Sequence, residues 1–284
     1  MRFYSPLRYP GGKNKLAKFV ALVCEKNNVN GHYIEPYAGG ASVALYLLIN
    51  GHVKEITIND FDRAIYAFWY SALNDTERFC RKIRNTEVTV KNWKKFKNIH
   101  SNKKEAELFE LGFATFFLNR TNRSGIINGG VIGGMNQKGK YKINCRFNKE
   151  ELIGRIRFIA KHKKNIHLYN LDALELAKKI QKKKGSKNTI FYFDPPYYLK
   201  GPSLYMNHYK RDDHKKVSEE IKKIKNSRWI VSYDNVLEIK KLYSRFKKQE
   251  YILSHVAYGV REGQEVLFFS NNLIIPKFQN PAKV

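Results

Sequence analysis

Two consecutive prolines place the strongest constraint on this chain. Pro195 and Pro196 follow Asp194, and Asp194 follows Thr189-Ile190-Phe191-Tyr192-Phe193, a run of β-branched and aromatic residues. Such a run reads as a strand buried on both faces, as in a parallel sheet. Proline has no N–H for a ladder and its ring blocks a helix, so neither element continues beyond Asp194. A carboxylate is therefore held at the carboxyl end of a buried strand, beside the Pro195 carbonyl and the rings of Tyr197 and Tyr198. In open α/β sheets that end of the strands is where ligands bind. Acceptors next to an aromatic face suit a planar amino group, such as the exocyclic amine of a nucleobase.

The rest of the chain supplies the sheet that such a strand needs. Leu16, Phe19, Val20 and Val23 recur at helical spacing within 15–25. Tyr33-Ile34-Glu35 reads as a strand, broken by Pro36 and Gly39-Gly40; 42–50 reads as an apolar helix and 54–59 as a second strand, with Asp60 and Asp62 at its end. Strand, glycine turn, helix and strand make a βαβ unit. Alternation resumes with a strand at 166–169, a helix at 173–183, the 189–193 strand, a helix at 212–225, a strand at 229–232 and a helix at 235–245. Segments 251–257 and 266–269 complete the pattern as an edge hairpin around a turn with Gly259 and Gly263. Between the two halves, helices at 64–73, 76–85 and 104–118 lead into a glycine- and asparagine-rich segment, 119–144, with little periodicity. A loop this long inside a compact domain is usually functional or mobile. The expectation is an α/β fold: a seven-stranded, mostly parallel sheet formed by 1–62 and 165–284, with 63–164 an inserted, mainly helical lobe.

Charge narrows the partners. Lys+Arg 53 against Asp+Glu 25 gives a formal net charge of +28, which points to a polyanion and first to nucleic acid. Single tracts such as 178–184 read as solvated helix faces, so the global excess carries the argument. Cys24, Cys80 and Cys145 are widely spaced, with no C-x-x-C pair. That speaks against a disulfide framework or a zinc site, and ligand spacing suggests no metal. With no signal-peptide pattern and no membrane-length apolar stretch, a soluble intracellular protein is expected.

Three motifs in order carry a family resemblance: Leu7-Arg8-Tyr9-Pro10-Gly11-Gly12-Lys13, then Ile34-Glu35-Pro36-Tyr37-Ala38-Gly39-Gly40-Ala41-Ser42-Val43, then Asp194-Pro195-Pro196-Tyr197. This signature resembles that of adenine-N6 DNA methyltransferases, and more narrowly the Dam-like (D12-class) group, with the cofactor motif first, target recognition second and the catalytic motif third. The resemblance runs from Leu7 to about Asn271. It implies a Rossmann-like methyltransferase sheet that uses S-adenosyl-L-methionine, with the 63–164 lobe recognising the target in double-stranded DNA. Asp194, Pro195, Pro196 and Tyr197 are then the expected catalytic residues. Tyr9, Gly11 and Lys13 of the first motif, and Glu35, Pro36, Tyr37, Gly39 and Gly40 of the second, are expected at the cofactor. Asp60, Asp172 and Asp194 join them from the strand ends.

The residue types agree. Glycines let backbone approach a ligand closely, although the loop is not a GxGxxG, which disfavours a dehydrogenase. A carboxylate at Asp60 can bond vicinal ribose hydroxyls. The family often shows Asp-x-Asn there, whereas this chain has Asp60-Phe61-Asp62, leaving the role of Asp62 open. Asp172 also reads as a helix cap. Expected DNA contacts are Lys13, Arg120, Asn122, Arg123, Lys138 and Lys140. Arginine can bridge guanine and asparagine can read adenine, but the same residues suit phosphate contacts or bonds that merely hold the loop.

The implied chemistry is methyl transfer to adenine N6. Asp194 and the Pro195 carbonyl would accept hydrogen bonds from the two N6 protons, and Tyr197 would stack on a base extruded from the duplex. Rival readings are cytosine N4, RNA adenine or a glutamine amide as acceptor, or a catalytically silent nucleic-acid-binding protein of the same fold. Aspartate at 194 favours adenine. A monomer, a prokaryotic or phage origin, a cytoplasmic location and an optional cognate restriction endonuclease complete the expectations.

Overall fold

A computed structural model describes residues 4–8, 13–182, 188–198, 209–255 and 261–284. It divides into two compact units, Lys13–Asp60 with Asn165–Val284, and Met1–Gly12 with Phe61–Lys164. Among the described residues no helix is long and apolar enough to cross a membrane.

The first unit is a seven-stranded sheet. Its strands are β1 (His32–Glu35), β2 (Glu55–Asn59), β3 (Ile166–Tyr169), β4 (Thr189–Phe193), β5 (Arg228–Asp234), β6 (Lys247–His255) and β7 (Arg261–Phe269), in the order β3-β2-β1-β4-β5-β7-β6. All pairings are parallel except those of β7, which runs antiparallel to both β5 and β6. The chain builds outward from β1 to β3, then returns to the other side of β1 with β4. That reversal sets β1 beside β4 and makes a crevice at their carboxyl ends, where such sheets bind ligands. Every residue of β4 is buried. Ile34, Phe191, Phe193, Val231 and Phe268 form one side of the core with Leu176 and Ile221 from the flanking helices. Each such side chain contributes about 1.5–3 kcal/mol by leaving water.

The hairpin differs from its sequence reading. Gly263 lies within β7, opposite Leu253, rather than in a turn, while Gly259 falls outside the described residues. β6 also begins earlier than expected, at Lys247. It is an edge strand, and its opening Lys247-Lys248-Gln249-Glu250 carries the charge that keeps an edge from pairing with other chains.

The second unit is helical: Arg63–Asn74, Thr76–Asn85, Val90–Ser101, Leu108–Thr121 and Lys149–Ala160. Leu108–Thr121 is its centre, with Phe109, Phe113, Phe116 and Phe117 all buried. Phe68 and Phe116 stack at 5.9 Å between ring centroids, and Phe96 meets Phe117 at 4.7 Å. Two of these helices escape the periodicity reading. Val90–Ser101 is rich in lysine and buries only Trp93, Phe96 and His100, and Lys149–Ala160 follows directly on the aperiodic loop. Both carry legible caps, since the Thr89 and Asn148 side chains accept from the Asn92 and Glu151 N–H groups. Residues 4–8 pack with this unit although 1–62 was expected with the sheet. Arg8 bonds Asn119 through both its N–H and its carbonyl, Arg155 donates to the Ser5 carbonyl, and Tyr4 stacks on Phe158.

Gly112 lets the central helix approach Arg63–Asn74, because a Cβ there would lie 2.4 Å from the Ala67 carbonyl oxygen. Gly112→Ala therefore destabilises this unit by about 1–3 kcal/mol, read as a lowered urea or thermal midpoint. An unchanged midpoint would contradict this packing.

Candidate active site

The register of β4 on β5 pairs Phe193 with Val231, so the next residues, Asp194 and Ser232, meet across the strand ends. The Ser232 hydroxyl donates to Asp194 Oδ1 at 2.6 Å. Beyond the prolines the chain is caught again by a side chain: the Tyr198 N–H donates to Asp234 Oδ1 at 2.9 Å.

Lys13 stands in a short 3-10 turn, Lys13–Leu16, and is only 4% exposed. Its Nζ lies 3.0 Å from Asp194 Oδ1 and 3.6 Å from Glu265 Oε2, and donates to the Tyr197 hydroxyl oxygen at 2.8 Å. Glu265, from β7, is buried and accepts from the hydroxyls of both Tyr197 and Tyr251. One ammonium, two carboxylates and two phenols thus form a continuous buried network. Burial disfavours the Lys13 ammonium, yet Asp194 and Glu265 outweigh it and hold its pKa well above the ordinary lysine value. Burial also pushes the Asp194 carboxyl upward, with Glu265 adding to the effect and Lys13 and Ser232 opposing it. Asp194 is the member that reaches the surface, its side chain 20% exposed. Among the described residues its bonds fall on Oδ1, which leaves Oδ2 as an acceptor.

The neighbouring strand end is built around Glu35. Its Oε1 accepts from the Tyr33 hydroxyl and the Ala44 N–H, both at 3.0 Å, and burial pushes its pKa up to about 8. The turn that follows is fixed from β2. Asn59 donates to the Pro36 carbonyl at 2.8 Å, and the Gly39 N–H donates to Asp60 Oδ2 at 3.0 Å. Gly39 and Ala41 both adopt positive φ, 46° and 48°, a left-handed bend that only glycine takes without strain, and Gly40 is buried between them. The Tyr37 hydroxyl meets that of Tyr209 at 2.9 Å. Asp172 caps the helix Ala173–Gln181, accepting from Leu174 and Glu175 N–H at 2.8 and 3.3 Å. Glu35, Asp60 and Asp172 thus stand at the carboxyl side of β1, β2 and β3. Tyr9 and Gly11 lie outside the described residues.

Several expected contacts fall elsewhere. Asn122 is fully buried: its amide donates to the Ile126 and Ile127 carbonyls at 3.0 and 2.7 Å and accepts from Trp93 Nε1 at 2.6 Å. It holds the loop and presents nothing to a base edge. Arg120 is partly buried and donates through Nε to the Arg146 carbonyl at 2.8 Å; burial, with Arg8 and Arg155 nearby, lowers its pKa to about 10. Lys13, expected at DNA, is enclosed in the network described above. Arg123, Lys138 and Lys140 are exposed. Asp62, left open by sequence, caps Arg63–Asn74 and bonds Lys103 at 2.8 Å. Ser232 and Glu265 were missed. A carboxylate opening the apolar run Glu265-Val266-Leu267-Phe268-Phe269 was the one available signal.

Comparison with known proteins places the chain in a family. A family model described as D12 class N6 adenine-specific DNA methyltransferase matches residues 9–255. The Type II methyltransferase M.MjaIII of Methanocaldococcus jannaschii is 24% identical over 205 residues, covering 67% of this chain and 68% of its own length.

The Glu35 carboxyl makes stability depend on pH. In the unfolded chain it ionises near about 4.3, whereas the folded chain keeps its proton up to about 8. Its contribution is fully present below the unfolded value and is lost as pH rises through that interval. Glu35→Gln keeps an acceptor for Tyr33 and Ala44 but cannot ionise, so it flattens the fall in unfolding midpoint between about pH 5 and 8. Parallel curves for the two proteins would refute the assignment.

Proposed function

The chain belongs to the D12 class of N6 adenine-specific DNA methyltransferases, and from that premise we propose that it methylates adenine N6 at specific sites in duplex DNA, with S-adenosyl-L-methionine as donor. The observation that carries the reading is the Asp194 carboxylate at the carboxyl end of β4, anchored through Oδ1 with Oδ2 left as acceptor, beside the bent turn after β1.

The donor set fits the methyl donor. Acidic side chains at three neighbouring strand ends suit a ligand bearing amino and hydroxyl groups, with Glu35 giving up its proton as a cationic group arrives. Glu35 with the Gly39–Gly40 turn would hold its methionine part, Asp60 its ribose hydroxyls, and Asp172 would face its adenine. When bound, that group supplies a methyl carried on a sulfonium.

The chain's own residues act on the base. The N6 lone pair of adenine is delocalised into the ring. Asp194 Oδ2 and the Pro195 carbonyl accept hydrogen bonds from the two N6–H groups and draw the nitrogen toward tetrahedral geometry, and the one proton lost on methylation would pass to the Asp194 carboxylate or to water. This is positioning and electrostatics rather than covalent chemistry. Lys13 and Ser232 fix the carboxylate orientation through its other oxygen. Tyr197 is 3% exposed, with its hydroxyl bonded to Lys13 and Glu265. It stacks on an extruded base only after its cover shifts, and before that it anchors the network. The helical unit serves as the target-recognition lobe, with Arg123, Lys138 and Lys140 on the backbone. The Type II description of the relative is in keeping with a cognate restriction endonuclease; a cytoplasmic setting and a monomer modifying one base at a time complete the proposal.

Labelled donor with unmodified duplex DNA, followed by nucleoside analysis, is expected to yield N6-methyladenine. Asp194→Ala lowers that yield by at least about 10²–10³-fold while donor binding persists; undiminished turnover would sink the mechanism. In the lobe, Lys138→Ala and Lys140→Ala each reduce the salt dependence of DNA binding by roughly one phosphate contact and leave the preferred sequence unchanged. A changed preference would make them readers of bases.

A further inference from the structure

The opposite end of the sheet carries a second constellation. His32 opens β1, Glu55 opens β2 and His167 lies in β3. The parallel register pairs His32 with Glu55, and His167 with Thr57. Glu55 and Thr57 are two apart on β2 and share a face, so the paired histidines share that face too. Their rings lie 5.5 Å apart between centroids, and His167 Nε2 lies 3.1 Å from Glu55 Oε2. One donor atom from each of the three residues falls within 4.8 Å of the others.

We propose that His32, Glu55 and His167 bind a divalent ion of the zinc class and thereby cross-link β1, β2 and β3. Two imidazoles and a carboxylate are a donor set that Zn²⁺ takes, with water completing four-coordination. Mg²⁺ and Ca²⁺ prefer shells of oxygen and are poorly served by it. Donors about 2.0–2.1 Å from zinc sit roughly 3.3 Å apart in a tetrahedral shell. Closing the observed spacing to that value takes a rotation about side-chain bonds, which the half-exposed Glu55 and His167 can make. The ring of His32 is steadied by buried Thr57, whose Oγ1 lies 2.7 Å from His32 Nε2. An outer partner of this kind commonly orients a metal-bound imidazole. Glu35 and Asp194 stand at the carboxyl ends of their strands, whereas this cluster stands toward the amino ends. The ion is therefore a brace for the sheet and takes no part in methyl transfer.

The test uses the full chain without an affinity tag, stripped of metal, in a Cys145→Ser background that removes the exposed thiol. Calorimetric titration with Zn²⁺ and visible absorption with Co²⁺ should show saturable uptake of one ion per chain. Saturating Zn²⁺ should raise the unfolding temperature by on the order of 5 °C. His167→Gln and, separately, His32→Gln should each weaken uptake at least about tenfold, the typical cost of a lost ligand or its outer partner. Glu55→Gln reads out the carboxylate independently. The metal-free unfolding temperature of each variant shows whether it folds. Absence of saturable uptake by the parent, or equal uptake by folded His167→Gln and His32→Gln, would overturn the proposal.

Discussion

The buried ammonium of Lys13 joins three parts of the sheet unit that are remote in sequence: the turn before the first helix, the loop after β4 and the strand β7. A charge taken out of water is costly unless it is paired and hydrogen-bonded, and removing one partner of such a pair typically costs about 3–5 kcal/mol. Here the ammonium meets two carboxylates and a phenol, so all three segments are held to one arrangement. The Asp194 carboxylate inherits its orientation from that arrangement. Its outward oxygen is defined because Lys13 and Ser232 both engage the other one. The shape of the candidate catalytic centre is thus a by-product of neutralising buried charge.

The helical unit is held by a different device. In the loop after its central helix, side-chain amides stand in for a ladder. Asn119 bonds both backbone groups of Arg8 and the Gly125 carbonyl, and Asn122 bonds the Ile126 and Ile127 carbonyls while taking the Trp93 indole N–H. Buried amides of this kind satisfy backbone groups that no regular element reaches. The result is a long connection fixed at its root, with Lys138 and Lys140 exposed farther along.

The sheet was legible where periodicity and punctuation agree. The apolar run before Asp194 and the two prolines are enough to place β4 and its carboxyl end, and the glycine turn after Glu35 places β1. Legibility failed wherever a residue's meaning depends on what the topology brings beside it. Asn122 has the side chain of a base reader, and only a fold that seats Trp93 against it makes it a loop clamp. Glu265 lies on a late antiparallel strand, and nothing local connects it to Lys13. His32, Glu55 and His167 show no metal-ligand spacing along the chain, because three separate strands supply them. Val90–Ser101 went unread because few of its residues are apolar, whereas Lys149–Ala160 was passed over beside the aperiodic loop although Leu152, Ile153, Ile156 and Ile159 recur at helical spacing; both caps were plain. Polarity hid the start of β6 as well, since an edge strand is charged for reasons unrelated to its backbone.

The position of β7 within the chain also bears on synthesis. A ribosome delivers Lys13 before Asp194, and Asp194 before Glu265, and β7 must then insert between β5 and the already emerged β6. Until it arrives, Lys13 and Tyr197 lack their shared acceptor, and β5 offers an unpaired edge to the surroundings. Pairings that close over such long separations in sequence form slowly, and exposed edges are where nascent chains aggregate. A nascent chain would thus carry the Asp-Pro-Pro-Tyr segment for some time before it has a finished place for it.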